Sequence, residues 1–156
     1  MKIRLATEND IPKINELLFQ VLDVHRSIRP DIFKPNAKKY TDSELSEIIR
    51  DEKKPVFVAA DDSGVVVGYA FCYFITHEND NILKNVKSLY IDDLCVDERC
   101  RGMHIGRALY EHARSFAAAN NCYNVTLNVW AGNENAQRFY DSLGLKMQKI
   151  HMEDIL

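Results

Sequence analysis

Residues 89–113 read LYIDDLCVDERCRGMHIGRALYEHA. An apolar run ends at Val96, and a short polar turn carrying Gly102 and Gly106 follows. Ile105, Ala108, Leu109, His112, Ala113 and Phe116 then recur at helical spacing. The segment is therefore a strand, a glycine turn and a helix. A helix start leaves backbone N–H groups without partners and is the positive end of the helix dipole. Glycine lets a phosphate approach such a backbone closely, and Arg99, Arg101 and Arg107 surround the turn with positive charge. A pyrophosphate site and an ordinary strand-to-helix connection both satisfy this pattern. The spacing is neither GxxxxGK[ST] nor GxGxxG, which sets aside the triphosphatase and dinucleotide loops.

Upstream, Lys2 to Ala6 read as a short strand. Thr7, Asp10 and Pro12 open a helix whose apolar stripe is Ile11, Ile14, Leu17, Leu18, Val21 and Leu22. HRSIRPDIFKP, with Pro30 and Pro35, breaks it into a loop. Thr41 and Glu44 then form a capping-box pattern ahead of Leu45, Ile48 and Ile49. VFVAA and VVVGYAFCYFI are two strands around an Asp62-Ser63-Gly64 turn, and Gly68 inside the second marks a bulge or a close backbone approach. A third strand covers roughly 86–96. Downstream, NVTLNVW is a strand, AGNENAQRFYDSLG a helix, and LKMQKIHME a final strand. The order βααβββαβαβ is a single α/β domain over residues 1–156, with a mixed sheet and one β-α-β crossover.

The chain has 20 Lys+Arg against 23 Asp+Glu, a formal charge of -3, which argues against a nucleic-acid binder. Cys72, Cys95, Cys100 and Cys122 form no CxxC pair or zinc array, so a reduced, cytoplasmic protein is expected. Neither a signal-peptide core nor a run of about 18 apolar residues is present, and no membrane partner is expected. His104 and His112 are too far apart along one helix for a metal pair, and no metal is expected.

The glycine turn is similar to the pyrophosphate loop of the GNAT superfamily of N-acetyltransferases, [Q/R]-x-x-G-x-[G/A], with Arg99, Gly102 and position 104 in the three slots. His104 is a departure, because the family usually has Gly or Ala there, and its side chain must turn away or bond a phosphate. MKIRLATENDIPKI resembles the family's opening strand and helix, and LNVWAGNENAQRFYDSLGLK resembles its second signature. Two motifs in the expected order, within a likeness covering the whole chain, are far more specific than either alone. The segments YIDDLCV and RGMHIG are also locally similar to spermidine/spermine acetyltransferases.

This resemblance implies the acyl-CoA N-acyltransferase fold and acetyl-CoA as co-substrate. The backbone of Arg101, Gly102, Met103, His104, Ile105, Gly106 and Arg107 would take the diphosphate, Leu94 and Val96 the pantetheine, and Asn135 the cofactor by hydrogen bonding. Helix-cap chemistry beside Asn133 explains Asn135 equally well. Tyr140 would give its phenolic proton to the leaving sulfur; on spacing alone it is also a core aromatic. An alkyl amine of pKa near ~10.4 is neutral in only about one molecule in a few thousand at pH 7, so its attack needs a base. Asp92, at the position of the relatives' catalytic glutamate, is the candidate, directly or through a water, with Asp93 as the fallback. Alternation places Tyr90, Asp92 and Leu94 on one face of the strand and Ile91, Asp93 and Cys95 on the other. Three functions stay open: acetyl transfer to a small-molecule or peptide amine, acetylation of protein N-termini or lysines, and a non-catalytic acyl-CoA-binding module. Relatives commonly pair through their C-terminal strands, and LKMQKIHMEDIL is apolar enough to permit a homodimer, so a monomer and a homodimer both stay open.

Overall fold

The computed structural model describes all 156 residues. Its elements are β1 (Lys2–Leu5), α1 (Ile11–Ile28), α2 (Asp42–Arg50), β2 (Val56–Ala60), β3 (Val66–Ile75), β4 (Ser88–Val96), α3 (Ile105–Ala119), β5 (Asn124–Leu127) and α4 (Glu134–Ser142), with single 3-10 turns at Glu8–Asp10 and Glu98–Cys100. The five strands form one sheet in sequence order. The first four are antiparallel and β5 joins β4 in parallel, as the β4–α3–β5 crossover demands. The mixed α/β architecture expected from the sequence is present.

Local chemistry sets the boundaries. Thr41 and Glu44 bond reciprocally at the start of α2, the expected capping box. Asp10 accepts from the backbone of Thr7 at 2.7 Å and from both terminal nitrogens of Arg4, pinning β1 to the start of α1. Helix α1 runs past His25 and ends at Ile28, just ahead of Pro30. One core layer joins α1 and α2 to the sheet through Ile14, Leu17, Leu45, Val58 and Tyr69. The other joins α3 through Phe57, Leu89, Ile91, Leu109 and Ala113.

Gly68 does mark a close approach. The register between β2 and β3 shifts beside it, and a Cβ there would lie 2.9 Å from the carbonyl oxygen of Cys95. The expected final strand is not formed. Residues 146–156 make no backbone–backbone hydrogen bond, and Met147, Ile150, Met152 and Ile155 are exposed. Apolar alternation can propose a strand, but only a neighbouring backbone makes one. No helix is long and apolar enough to cross a membrane.

Candidate active site

The site is organised by β4, which outruns its parallel neighbour. Pairing with β5 stops at Ile91↔Leu127, whereas pairing with β3 continues to Val96. From Asp92 to Val96 the β5 side of the strand therefore has no strand partner, and this open edge with free peptide groups forms the slot of the candidate site. Leu94 and Val96 pack their side chains against the α3 layer.

At the end of the slot, Asp97 is fully buried and terminates the strand. Its carboxylate accepts from Arg99 Nε at 3.0 Å, from Arg99 Nη2 at 2.8 Å and from the Arg99 amide, with Lys13 Nζ at 3.3 Å. These partners, Arg99 foremost, hold Asp97 well below the usual carboxylate range. The chain then turns through two left-handed residues, Gly102 at φ +81° and His104 at φ +60°, and enters α3. Glycine adopts this region freely, whereas histidine pays for it. The His104 side chain is exposed.

The consequence is a nest of unused donors. The six amides from Gly102 to Arg107 donate to no protein acceptor; the ladder begins with Ala108 donating to His104. A helix start alone accounts for fewer. Arg101 forms no ion pair, and Arg107 reaches the Ser142 carbonyl at 3.3 Å. These donors suit a diphosphate. The Met103 side chain is exposed. Gly106 has a second duty, since a Cβ there would lie 3.1 Å from Phe139 Cζ. Its bareness lets α4 pack on α3.

That packing positions Tyr140. The ring is half-buried and lies 5.0 Å from that of Phe139, and its hydroxyl makes no hydrogen bond within the chain. Burial, with Asp93, Cys72 and Tyr110 nearby, raises its pKa and keeps the phenol protonated. A half-buried phenol without a partner is an available donor. Asn133 caps α4 by accepting from the Ala136 amide, so the cap is not Asn135. Asn135 is exposed and accepts from Arg138 at 2.8 Å.

At the other end of the slot the strand departs from simple alternation. Phe71 pairs with Asp93 and Cys72 with Ile91, leaving Asp92 as the extra residue of a β-bulge. The bulge reverses the faces: Ile91, Leu94 and Val96 all pack on the α3 side and Cys95 on the α1 side. The expected separation of Asp92 from Asp93 is thus overturned, because both carboxylates meet one ammonium. Lys39 Nζ donates to Asp92 Oδ2 at 2.9 Å and lies 3.8 Å from Asp93 Oδ2. Tyr40 also donates to Asp92, at 3.2 Å, and the buried Tyr69 donates to Asp93 at 2.9 Å. Burial raises the Asp93 pKa against the opposing pull of Lys39 and Tyr69. His25, lowered by its own burial, lies near the pair with its ring 5.2 Å from that of Phe33. Phe33 in turn meets Trp130 edge-on, and Arg29 pairs with both Asp31 and Glu153 beside it. Tyr90 accepts from Asn128 at 3.0 Å on the same side.

Lys39, Tyr40 and Tyr69 were not singled out in the sequence. Nothing in AKKYTDSE distinguishes the second lysine from the first, and only the bulge reveals that it faces two carboxylates.

The sequence model of the acetyltransferase (GNAT) family matches residues 21–145. A solved structure, the tetramutant of BH1408 protein from Bacillus halodurans, is 35% identical over the full length of both chains, with a TM-score of 0.95. The peptidyl-lysine N-acetyltransferase YjaB of Escherichia coli is 29% identical over 107 residues, 67% of this chain. The matched stretch spans 60% of that relative's length. The aminoglycoside N-acetyltransferase AAC(6')-Iy, solved in complex with CoA, shares the fold at 15% identity, a TM-score of 0.74 and coverage of 99% and 98% of the two chains. These matches support the family at large; likeness to the spermidine/spermine branch stays confined to the short segments quoted above.

Proposed function

The chain belongs to the GNAT acetyltransferase family, and on that premise we propose that it transfers an acetyl group from acetyl-CoA to a primary amine by direct attack in a ternary complex. The observation that carries this reading is the run of six amides from Gly102 to Arg107 with no acceptor, at the end of a strand edge that β5 leaves unpaired. The amides take the diphosphate, with Arg101 and Arg107 adding charge. The free backbone beside Leu94 and Val96 pairs with the pantetheine, and Asn135 bonds the cofactor from α4. The cofactor brings an activated thioester; the rest of the chemistry is done by side chains.

Asp92, directly or through a water, accepts the proton that an alkylammonium must lose before attack. Releasing the free amine at pH 7 costs roughly 4–5 kcal/mol, and a positioned carboxylate supplies part of it. Tyr140 gives its proton to the departing sulfur, a role that its burial preserves by keeping the phenol neutral. The name of the Escherichia coli relative favours a second reading, in which the acceptor is a lysine of a protein.

Calorimetry with CoA, and thiol release from acetyl-CoA with a panel of amines and lysine peptides, test the proposal. Micromolar to millimolar CoA binding and turnover on one acceptor class are expected. Tyr140→Phe should lower kcat by about 10²–10³-fold while leaving CoA affinity intact. Absence of CoA binding would refute the reading, and a preference for peptides over small amines would select the lysine acceptor.

A further inference from the structure

The ammonium of Lys39 sits against the carboxylate proposed above as the base. It is within hydrogen-bond distance of Asp92 and 3.8 Å from Asp93, on the stretch of β4 that has lost its β5 partner. The side chain is not walled in: it is 37% exposed and belongs to the α1–α2 connection. Burial works to lower its pKa, but Asp93 and Asp92 outweigh this and hold it above the ordinary lysine value. An external primary amine would meet the same two carboxylates and the same problem of deprotonation. The chain thus carries its own stand-in for the acceptor.

We propose that Lys39 is a self-acetylation site, modified by the protein's own active centre. The proposal rests on the acetyl-transfer reading above and extends it to a residue of the chain itself. Lys39 gives one proton to Asp92, and its neutral Nζ attacks the thioester carbonyl carbon. The N–C bond forms and the C–S bond breaks, with the electron pair leaving on sulfur. Tyr140 protonates that sulfur and recovers a proton from the acylated nitrogen. The products are Nε-acetyl-Lys39, free CoA and the proton on Asp92, which passes to water. Acetylation also removes the one cation that neutralises Asp92, so the carboxylate pair is left free for a cationic acceptor.

The test begins with thiol release on external amines, which establishes by itself whether the protein is an acetyltransferase. The same full-length protein is then incubated with acetyl-CoA alone and followed by intact mass and peptide mapping. One acetyl group is expected at Lys39, at a rate independent of protein concentration, lost in Lys39→Arg and slowed at least about 100-fold in Tyr140→Phe. Turnover of external amines with no mark on Lys39 would overturn the proposal while leaving the acetyl-transfer reading intact. So would acetyl groups spread evenly over surface lysines and indifferent to Tyr140→Phe. The placement is also read without turnover: in Lys39→Met loaded with CoA, butylamine should bind several-fold more tightly by calorimetry. Unchanged affinity would mean that the ammonium does not occupy the acceptor position, and would overturn the proposal as well.

Discussion

The two ends of the open stretch of β4 are built from different materials. Toward Val96 the free polar groups are peptide amides, held by a glycine turn and a helix start. Toward Asp92 they are side chains gathered from elsewhere: Lys39 and Tyr40 from the α1–α2 connection, Tyr69 from β3 and His25 from α1. A backbone site is fixed by local dihedrals and tolerates changes of side chain, whereas a side-chain site depends on each charge. The two buried carboxylates of this segment express the same contrast. Asp97 is held down by Arg99, while Asp93 is pushed up by burial. On the proposed reading, the first end takes a ligand common to a whole family and the second is free to differ.

The strongest way to break this division is Asp92→Asn. It should lower kcat for the best amine by about 10²–10³-fold, because the ammonium loses its proton acceptor. CoA affinity by calorimetry should not move. A parallel loss of CoA binding would show that the two ends are not independent.

Gly106→Val sharpens the comparison from the other end. The missing Cβ there makes room for Phe139, so a branched side chain must push α4 away from α3. A loss of about 1–3 kcal/mol in urea unfolding is expected. Since Phe139 neighbours Tyr140, kcat should fall more than CoA affinity. A fall in affinity alone would mean that Gly106 serves the diphosphate and not the helix packing.

The carboxylates give opposite signs against pH. Asp97 has a folded pKa below its unfolded value, so its contribution is present above about pH 4 and is lost as pH falls below that. Asp93 has a folded pKa above its unfolded value; relative to the unfolded chain it favours the fold below about pH 4, an advantage lost as pH rises through the folded value. Unfolding measured across this range should therefore show a flattened acid limb in Asp97→Asn. In Asp93→Asn the decline with rising pH should be reduced. The same slope change in both variants would contradict the assignment.

How much could be read without coordinates follows from the same contrast. The glycine turn, the helix behind it and the second motif through Tyr140 are local in sequence, and the fold class and the free amides followed from them. The acceptor end is not local. Lys39 reaches Asp92 across 53 positions, and the faces of β4 depend on a bulge that exists only in its pairing with β3. Period-two alternation therefore put Asp92 and Asp93 apart although they share one cation. The final strand failed for a related reason. LKMQKIHME has the composition of a strand, but its backbone finds no neighbour to pair with. Asn135 looked like a helix cap only because Asn133, which is the cap, stands two positions away.

The smallest effect comes from the residue that departs most plainly from the family pattern. His104 occupies a left-handed conformation at φ +60°, with its side chain in solvent and its amide among the six free donors. A non-glycine residue there costs roughly 1–2 kcal/mol, part of which glycine returns through the greater freedom of its unfolded chain. His104→Gly should therefore stabilise the protein by about 0.5–1 kcal/mol in urea unfolding. Because the side chain is exposed, CoA affinity should stay within about two-fold, a change worth no more than ~0.4 kcal/mol. A loss of affinity well beyond that would mean that the imidazole itself bonds a phosphate. The cofactor end would then depend on a side chain after all, and the division between backbone and side-chain recognition along β4 would no longer hold.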